Sequence, residues 1–492
     1  MEKIYVNGRC FNDEKGRERI FNGINMVNKG TYDESTGQKN YIASWDESHF
    51  EWLVDNGFNI IRLGIIWDGV EHEIGVYDEN YLDWIDSMLN LCEKYNIYAF
   101  LDMHQDLYSN KFSDGAPDWA TLTDNQQHVT GDLWSDAYIF SNAVKRSFKN
   151  FWANTKASDG IGLQDHYANM WAHIIKRLQH SNALIGYDFI NEPFPGENSL
   201  EIFGALLGSY AKLTQQDMSP EQLMASFTNV DQKNKLLKDI DNVELYTAMA
   251  KSALHLVSEF DKGALASFYK RITKAIRQVS DKGIVMMENS YFSNMGIECS
   301  IPSITDDNGI KEKNQAYAPH GYDLVVDTPE VVHASNNRID TILNAHKKVQ
   351  ERLNIPVMFG EWGAHSMYSE GMYHIVHILD TFDKYKWSNT YWCYHENIEQ
   401  APVMDILKRP YPQAVSGKII KYHYNRESNV YTLEWIENSN TLAPTEIYLP
   451  HEPKSIDIDS EFSINKISNM SESVILSITN KPIAVRSITV VL

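Results

Sequence analysis

Eight short apolar runs, set at long intervals with helical patterns between them, constrain this chain more than any other feature. They are "IFNGINMV" (20–27), "NIIRLGIIW" (59–67), "YAFLDMH" (98–104), "LIGYDFINE" (184–192), "GIVMMEN" (283–289), "QAYAPHGY" (315–322), "IPVMFGEW" (355–362) and "NTYWCYHEN" (389–397). Strands of this kind separated by helices predict an α/β protein built on a closed parallel (β/α)8 TIM barrel. The helices show in their spacing. "YLDWIDSMLNLCEKYNI" sets Leu82, Ile85, Leu89 and Cys92 on one stripe, and "ALASFYKRITKAIRQVSDKG" does the same with Leu265, Phe268, Ile272 and Ile276, with Gly283 as the expected stop.

Two connections are overlong for such a barrel. Residues 105–165 follow the third run and 194–282 follow the fourth, so both insertions are expected over the end of the barrel where catalysis occurs. The second contains "SLEIFGALLGSYAKL", a helical pattern that reads either as one wall of a greasy groove or as ordinary core packing. After "KRPYPQAVSG" (408–417) the texture changes to alternating segments such as "KIIKYHYN", "VYTLEWIEN", "TEIYLP" and "AVRSITVVL". These predict an antiparallel β-sandwich over residues 411–492, following a catalytic barrel over 1–410. Such a sandwich either binds ligand or covers the flank of the barrel.

Composition narrows the partners. With 66 acidic against 44 basic side chains the formal net charge is -22, which repels nucleic acid and gives no pull towards anionic membranes. Cys10, Cys92, Cys299 and Cys393 are scattered, without the spacing of a zinc site or a disulfide framework, so reduced thiols are expected. The first residues carry charge where a signal peptide needs an apolar stretch, and no later segment has the length of a membrane span. The expectation is a soluble cytoplasmic protein, a monomer or small homo-oligomer, without metal or cofactor.

In a parallel barrel the last residues of the strands converge on one face. Glu192 ends the fourth run and Glu361 the seventh. Cleaving a glycosidic bond requires two such carboxyls, a protonated one that donates to the leaving oxygen and an ionised one that attacks the anomeric carbon from about 5 to 5.5 Å away. Asn191 precedes Glu192 and suits a hydrogen bond to a sugar 2-hydroxyl, while Arg62, His104, His320, Tyr322 and Trp392 stand at corresponding ends of other strands.

"INEP", "PHGY" and "FGEWG", with Arg62, His104 and Trp392, resemble the catalytic set of glycoside hydrolase family 5. More narrowly, "DMHQDLYSN", "GAPDWATLTD", "FWAN", "GLQDHYANMWAHIIKRL", "NEPFPG", "VMMEN" and "KRPYPQAV" are similar to its endoglycoceramidase-related branch, and the resemblance runs from about residue 4 through the sandwich. It implies that Glu192 is the acid/base and Glu361 the nucleophile, that Asn191 holds the 2-hydroxyl, and that Tyr322 orients Glu361. It also implies that His104, Asp106 and Trp392 line the subsite of the first glucose, and that Lys29 in "NMVNKG" matches a lysine contacting sugar hydroxyls. Glu361, beside Tyr322 and Arg62, is expected to ionise first, and its charge then raises the pKa of Glu192.

The implied substrate is a glycolipid or other β-glucoside, cut either to release an intact glycan or to release one glucose from ceramide or sterol. Trp119, Trp134, Phe140, Phe203 and Leu207 in the insertions are the apolar side chains expected to meet such an aglycone. Three other readings fit less well. A metal-dependent hydrolase lacks its histidine spacing around "YHEN", "DDNGIKEKN" (306–314) lacks calcium-loop spacing, and no GxSxG elbow is present for a Ser/His hydrolase. A barrel that binds glycolipid without cutting it has no use for a matched pair of strand-end carboxylates.

Overall fold

The computed structural model describes every residue except 35, 36, 220, 221, 223–229, 439, 469, 470 and 482–484. Its centre is an eight-stranded parallel sheet. The barrel strands, one to eight, are Asn22–Val27, Ile60–Ile66, Tyr98–His104, Leu184–Asp188, Ile284–Met287, Gln315–Tyr317, Met358–Phe359 and Ser388–Tyr391. Strand eight pairs with strand one, and a parallel bridge between Tyr317 and Val357 closes strand six onto strand seven. Every residue of strands two and three is buried, as parallel strands covered on both faces require.

Above strands six and seven the backbone pairs a second time. His320–Gly321 runs parallel to Glu361–Trp362, and this short upper tier carries one candidate carboxylate and one candidate histidine side by side. Gly360 makes the step between the tiers, since a Cβ there would stand 2.8 Å from Nε2 of His320.

The outer helices bury the stripes expected of them. Glu79–Tyr95 starts at Asp78, whose carboxylate accepts from the main-chain N–H groups of Asn80 and Tyr81, and it buries Leu82, Ile85, Leu89 and Cys92. Ala266–Arg277 buries Phe268, Ile272 and Ile276, while Leu265 lies in the preceding π-helical turn. This helix stops at Arg277, well before Gly283. That glycine has a different task, because its φ of +79° brings it under the ring of Tyr187, where a Cβ would lie 2.3 Å away.

Two sheets form the C-terminal sandwich, with Tyr431, Leu433, Trp435, Ile447, Val474 and Leu476 in the core between them. The larger sheet contains a departure from the sequence reading. Ile4–Asn7, Cys10–Asp13 and Glu18–Arg19, read as part of the barrel, are the outer strands of that sheet, joined to it where Glu18–Arg19 pairs with Tyr411–Val415. The same segment also plugs the barrel floor, where Phe11 packs with Phe21, Ile60, Tyr98 and Phe100. Alternation alone does not say which sheet a strand will join.

The link is electrostatic as well as backbone-mediated. Asp13 is fully buried, with Arg17 Nε at 2.8 Å and Arg19 Nη1 at 3.3 Å, and Arg17 reaches on to Glu446 at 2.9 Å. Removing one member of a buried ion pair strands its partner. Asp13→Ala is therefore expected to lower stability by about 3 to 5 kcal/mol, read as a drop in the denaturant midpoint. A loss within experimental error would show that the two arginines find water instead.

Candidate active site

A guanidinium in a barrel interior must be compensated on every side, and Arg62 on strand two is fully buried. Its Nη2 lies 2.9 Å from Asp102, 2.9 Å from Asp188 and 2.9 Å from Glu288, while Nη1 lies 2.6 Å from Oε1 of Glu361. Arg62 also donates to Oδ1 of Asn25 at 3.1 Å and Oδ1 of Asn191 at 2.9 Å. The second bond fixes the Asn191 amide. Its Nδ2 then faces the other way, donating to the carbonyl of Gln105 at 3.1 Å and keeping one N–H for a ligand.

Glu361 is held at both oxygens. Arg62 takes Oε1, and the Tyr322 hydroxyl donates to Oε2 at 2.9 Å. Burial pushes this carboxyl up, but His320, Arg62 and His104 outweigh it and, with the Tyr322 hydrogen bond, hold it well below the usual carboxylate range. Glu192 has the opposite balance. Burial pushes its carboxyl up, the charges of Glu361 and Glu288 add to this, and His320 only partly opposes them. The backbone of Glu192 is in the left-handed region at φ +43°, unusual for a residue with a Cβ, and its N–H is pinned by Oε2 of Glu288 at 2.8 Å.

His320 bridges the acids. Nδ1 lies 3.1 Å from Glu192 and 3.6 Å from Glu361, and Nε2 lies 3.2 Å from Glu288. Burial disfavours its charge, but Glu288, Glu361 and Glu192 outweigh this and push the imidazole pKa well above its ordinary value. One oxygen each of Glu192 and Glu361 lie within 4.8 Å of one another.

A cleft of about 390 Å³ opens above this pair, lined by Lys29, His104, Asp106, Asn191, Tyr322 and Trp392 together with the two glutamates. His104 stacks on Trp392 with ring centres 5.3 Å apart and is braced from behind by Asp102 at 2.8 Å. Lys29 is hydrogen-bonded to Asp106 and lies 5.0 Å from the Trp392 ring centre. Arg62 and His320 do not line the cleft. The sequence reading put them among substrate-binding groups, but both are fully buried behind the carboxylates and act on those instead. Groups of acidic and histidine side chains close enough to hold a metal do occur, yet the protein's own cations already stand beside them. Arg62 touches Asp188 and Glu288, and Lys29 touches Asp106.

Asp102, Asp188 and Glu288 were missed as site residues. Their signal was present, since each is an acid inside or at the end of an otherwise apolar strand, where an unpaired carboxylate is costly. Of the apolar side chains expected to meet an aglycone, Trp134, Phe203 and Leu207 line the cleft. Trp119 instead packs edge-on against Trp67 and donates to the carbonyl of Glu71, and Phe140 packs on the core.

A parallel barrel with two carboxyls at opposing strand ends, pushed apart in acidity, is the architecture of a carbohydrate-active barrel protein. Residues 21–398 match the model of the cellulase family, glycosyl hydrolase family 5, and residues 409–490 match the glycoside hydrolase family 5 C-terminal domain. The chain belongs to glycosyl hydrolase family 5. It is 35% identical over 210 residues to an endoglycoceramidase of Cyanea nozakii, a match covering 38% of this chain and 40% of that protein. It is 29% identical over 251 residues to a glucosylceramidase of Rhizopus delemar, covering 40% of this chain and 36% of that one. These matches thus span about two fifths of the relatives' own length. The fold of endo-glycoceramidase II from Rhodococcus sp. superposes with a TM-score of 0.73 at 24% identity, covering 99% of each chain.

Arg62→Met gives a direct test of the buried charge cluster. Without the cation, Asp188, already pushed up by burial, rises further above its unfolded value, and Glu361 loses one of the cations that hold it down. Stability is then greatest at low pH and falls as pH rises through the carboxylate range and beyond. The expected loss is about 3 to 5 kcal/mol near neutrality, partly recovered near pH 5, read from thermal unfolding of wild type and variant at both values. A loss independent of pH would count against it.

Proposed function

We propose that the chain is a retaining β-glycosidase that hydrolyses the bond between a β-linked glucose, alone or at the base of a glycan, and a lipid aglycone. The carrying observation is the carboxyl pair, with one oxygen of each glutamate within 4.8 Å of the other and their acidities driven in opposite directions. That separation suits direct attack by a carboxylate and is short for an inverting pair, which stands about 6.5 to 9.5 Å apart to hold a water between them.

In this reading Glu361, ionised and aimed by Arg62 and Tyr322, attacks the anomeric carbon. Glu192 passes its proton to the glycosidic oxygen as the C–O bond breaks, and the lipid alcohol leaves. The resulting ester removes the negative charge of Glu361, so Glu192 becomes a stronger acid and now accepts a proton from the attacking water. Water adds to the same face the lipid left, and configuration is retained. Asn191, by its remaining N–H, holds the sugar 2-hydroxyl, and His104, Asp106, Lys29 and Trp392 line the sugar's side of the cleft.

The aglycone side has a different chemistry. Phe203, Leu206 and Leu207 on helix Ser199–Leu213, Met249 on helix Val243–Phe260, and Phe292 and Met295 beyond strand five form an apolar wall continuous with Glu192. Covering such a surface stabilises a bound lipid by about 25 cal/mol per Å². The relatives named endoglycoceramidase and glucosylceramidase support a ceramide, and a sterol or other hydrophobic glucoside is the second reading, supported by the same wall.

Products from glucosylceramide, a longer ceramide glycan and a steryl glucoside, identified by mass spectrometry in detergent, separate these substrates. Intact glycan plus ceramide indicates endo action, and glucose from the short substrates alone indicates exo action. Glu361→Gln is expected to lose at least about 10³-fold in kcat while still binding, and proton NMR should show the β-anomer first. An α-anomer appearing first would overturn the double displacement, and equal inactivity of wild type and variant would favour a binding protein. The pH profile of kcat/KM should be bell-shaped, with the acid limb below and the alkaline limb above the ordinary glutamate value of about 4.3.

A further inference from the structure

A general acid must present its proton from the right oxygen, and both donors to the Glu192 side chain among the described residues converge on a single one. His320 Nδ1 lies 3.1 Å from Oε1, and Nδ2 of Asn294 lies 3.1 Å from the same atom. Oε2 is left to carry the proton. His320 is shared with Glu288 and Glu361, whereas Asn294 serves Glu192 alone among these acids.

Which end of the Asn294 amide faces the acid is set by a chain of bonds running back into the core. Asn289, fully buried, donates from Nδ2 to the carbonyl of Ser290 at 2.9 Å, and a carbonyl only accepts, so this end of Asn289 must be its NH₂. The second hydrogen of that NH₂ goes to Oδ1 of Asn294 at 2.6 Å, and the main-chain N–H of His320 points to the same oxygen at 3.4 Å. Asn294 thus meets donors at its oxygen, and its NH₂ is forced towards Glu192. The Tyr317 hydroxyl closes the far end, standing 3.0 Å from Oδ1 of Asn289 and 2.9 Å from Nδ1 of His346. The helical turn Tyr291–Met295 that carries Asn294 is itself tied at both ends, from Tyr291 N–H to the carbonyl of Pro193 at 2.9 Å and from the Tyr246 hydroxyl to the carbonyl of Met295 at 2.8 Å.

We infer that Asn294 is a positioning residue for acid catalysis, locking the Glu192 carboxyl so that its proton resides on Oε2 and faces the leaving oxygen. The inference rests on the glycosidase reading above. The step it serves moves the proton from Oε2 to the glycosidic oxygen while the C1–O bond breaks and its electron pair goes to that oxygen. A leaving group that is stable as an anion needs no such proton. An alkoxide does.

The test compares kcat/KM of wild type, Asn294→Ala and Asn294→Asp on octyl β-glucoside and on 2,4-dinitrophenyl β-glucoside. The alanine variant is expected to lose about tenfold or more on the octyl substrate and less than about twofold on the dinitrophenyl one, since misplacing a catalytic group by about 1 Å costs on the order of 10²-fold. The alkaline limb of the octyl profile should also move up, because a hydrogen bond favouring the ionised form is lost. If the alanine variant does not fold, the nearly isosteric aspartate keeps an acceptor for Asn289 and loses the donor, and the same split between substrates is expected. Equal losses on both substrates, or none on either, would overturn the positioning role. Inactivity of the wild type on both glucosides, or full turnover by Glu361→Gln, would instead bring down the glycosidase reading beneath it.

Discussion

The site is organised around one buried cation. Arg62 draws Asp102, Asp188, Glu288 and Glu361 to within hydrogen-bonding distance in the barrel interior, a concentration of acids whose mutual repulsion a buried cation offsets. Its influence is uneven. It touches Glu361 directly and does not touch Glu192, whose carboxyl is left to His320 and Asn294. Two residues of one chemical type are therefore driven in opposite directions in acidity, Glu361 down by His320, Arg62 and His104, and Glu192 up by burial and the neighbouring acids.

The backbone contributes as much as the charges. A single-tier barrel would leave strands six and seven at Tyr317 and Phe359, below the cleft. The second pairing of His320–Gly321 with Glu361–Trp362, entered through Gly360, raises Glu361 and His320 together. Glu192 is raised differently, by a left-handed backbone held from Glu288 on the neighbouring strand. Both carboxyls thus stand on backbone that departs from the regular strand, as preorganised sites commonly do.

Much of this was legible in the sequence, for a physical reason. Strands such as Ile60–Ile66 and Tyr98–His104 are covered on both faces and so leave unbroken apolar runs, and an ionisable residue ending such a run stands out. Depth did not show. Arg62 and Tyr322 read alike as polar strand-end residues, yet Arg62 is the third residue of strand Ile60–Ile66, sealed behind the carboxylates, while Tyr322 lines the cleft. Asp102 was hidden by its neighbour His104, two positions on and facing the same side of the strand. The amide of Asn294 was invisible for another reason, since its direction is decided by the carbonyl of Ser290, a main-chain atom that no residue type announces. The partner of Glu18–Arg19 was likewise a tertiary matter, tied across the chain by Arg17 reaching Glu446 rather than announced by strand propensity.

That last pairing bears on how the protein is made. Ile419 donates its main-chain N–H to the side chain of Glu18 across 401 positions of sequence. At synthesis rates of about 5 to 20 residues per second, the interval between the two is on the order of tens of seconds. Throughout it, the Glu18–Arg19 edge of the N-terminal strands has no partner until Tyr411–Val415 emerges. An unpaired strand edge is a template for any other strand, and this one stays open until the last part of the chain closes it.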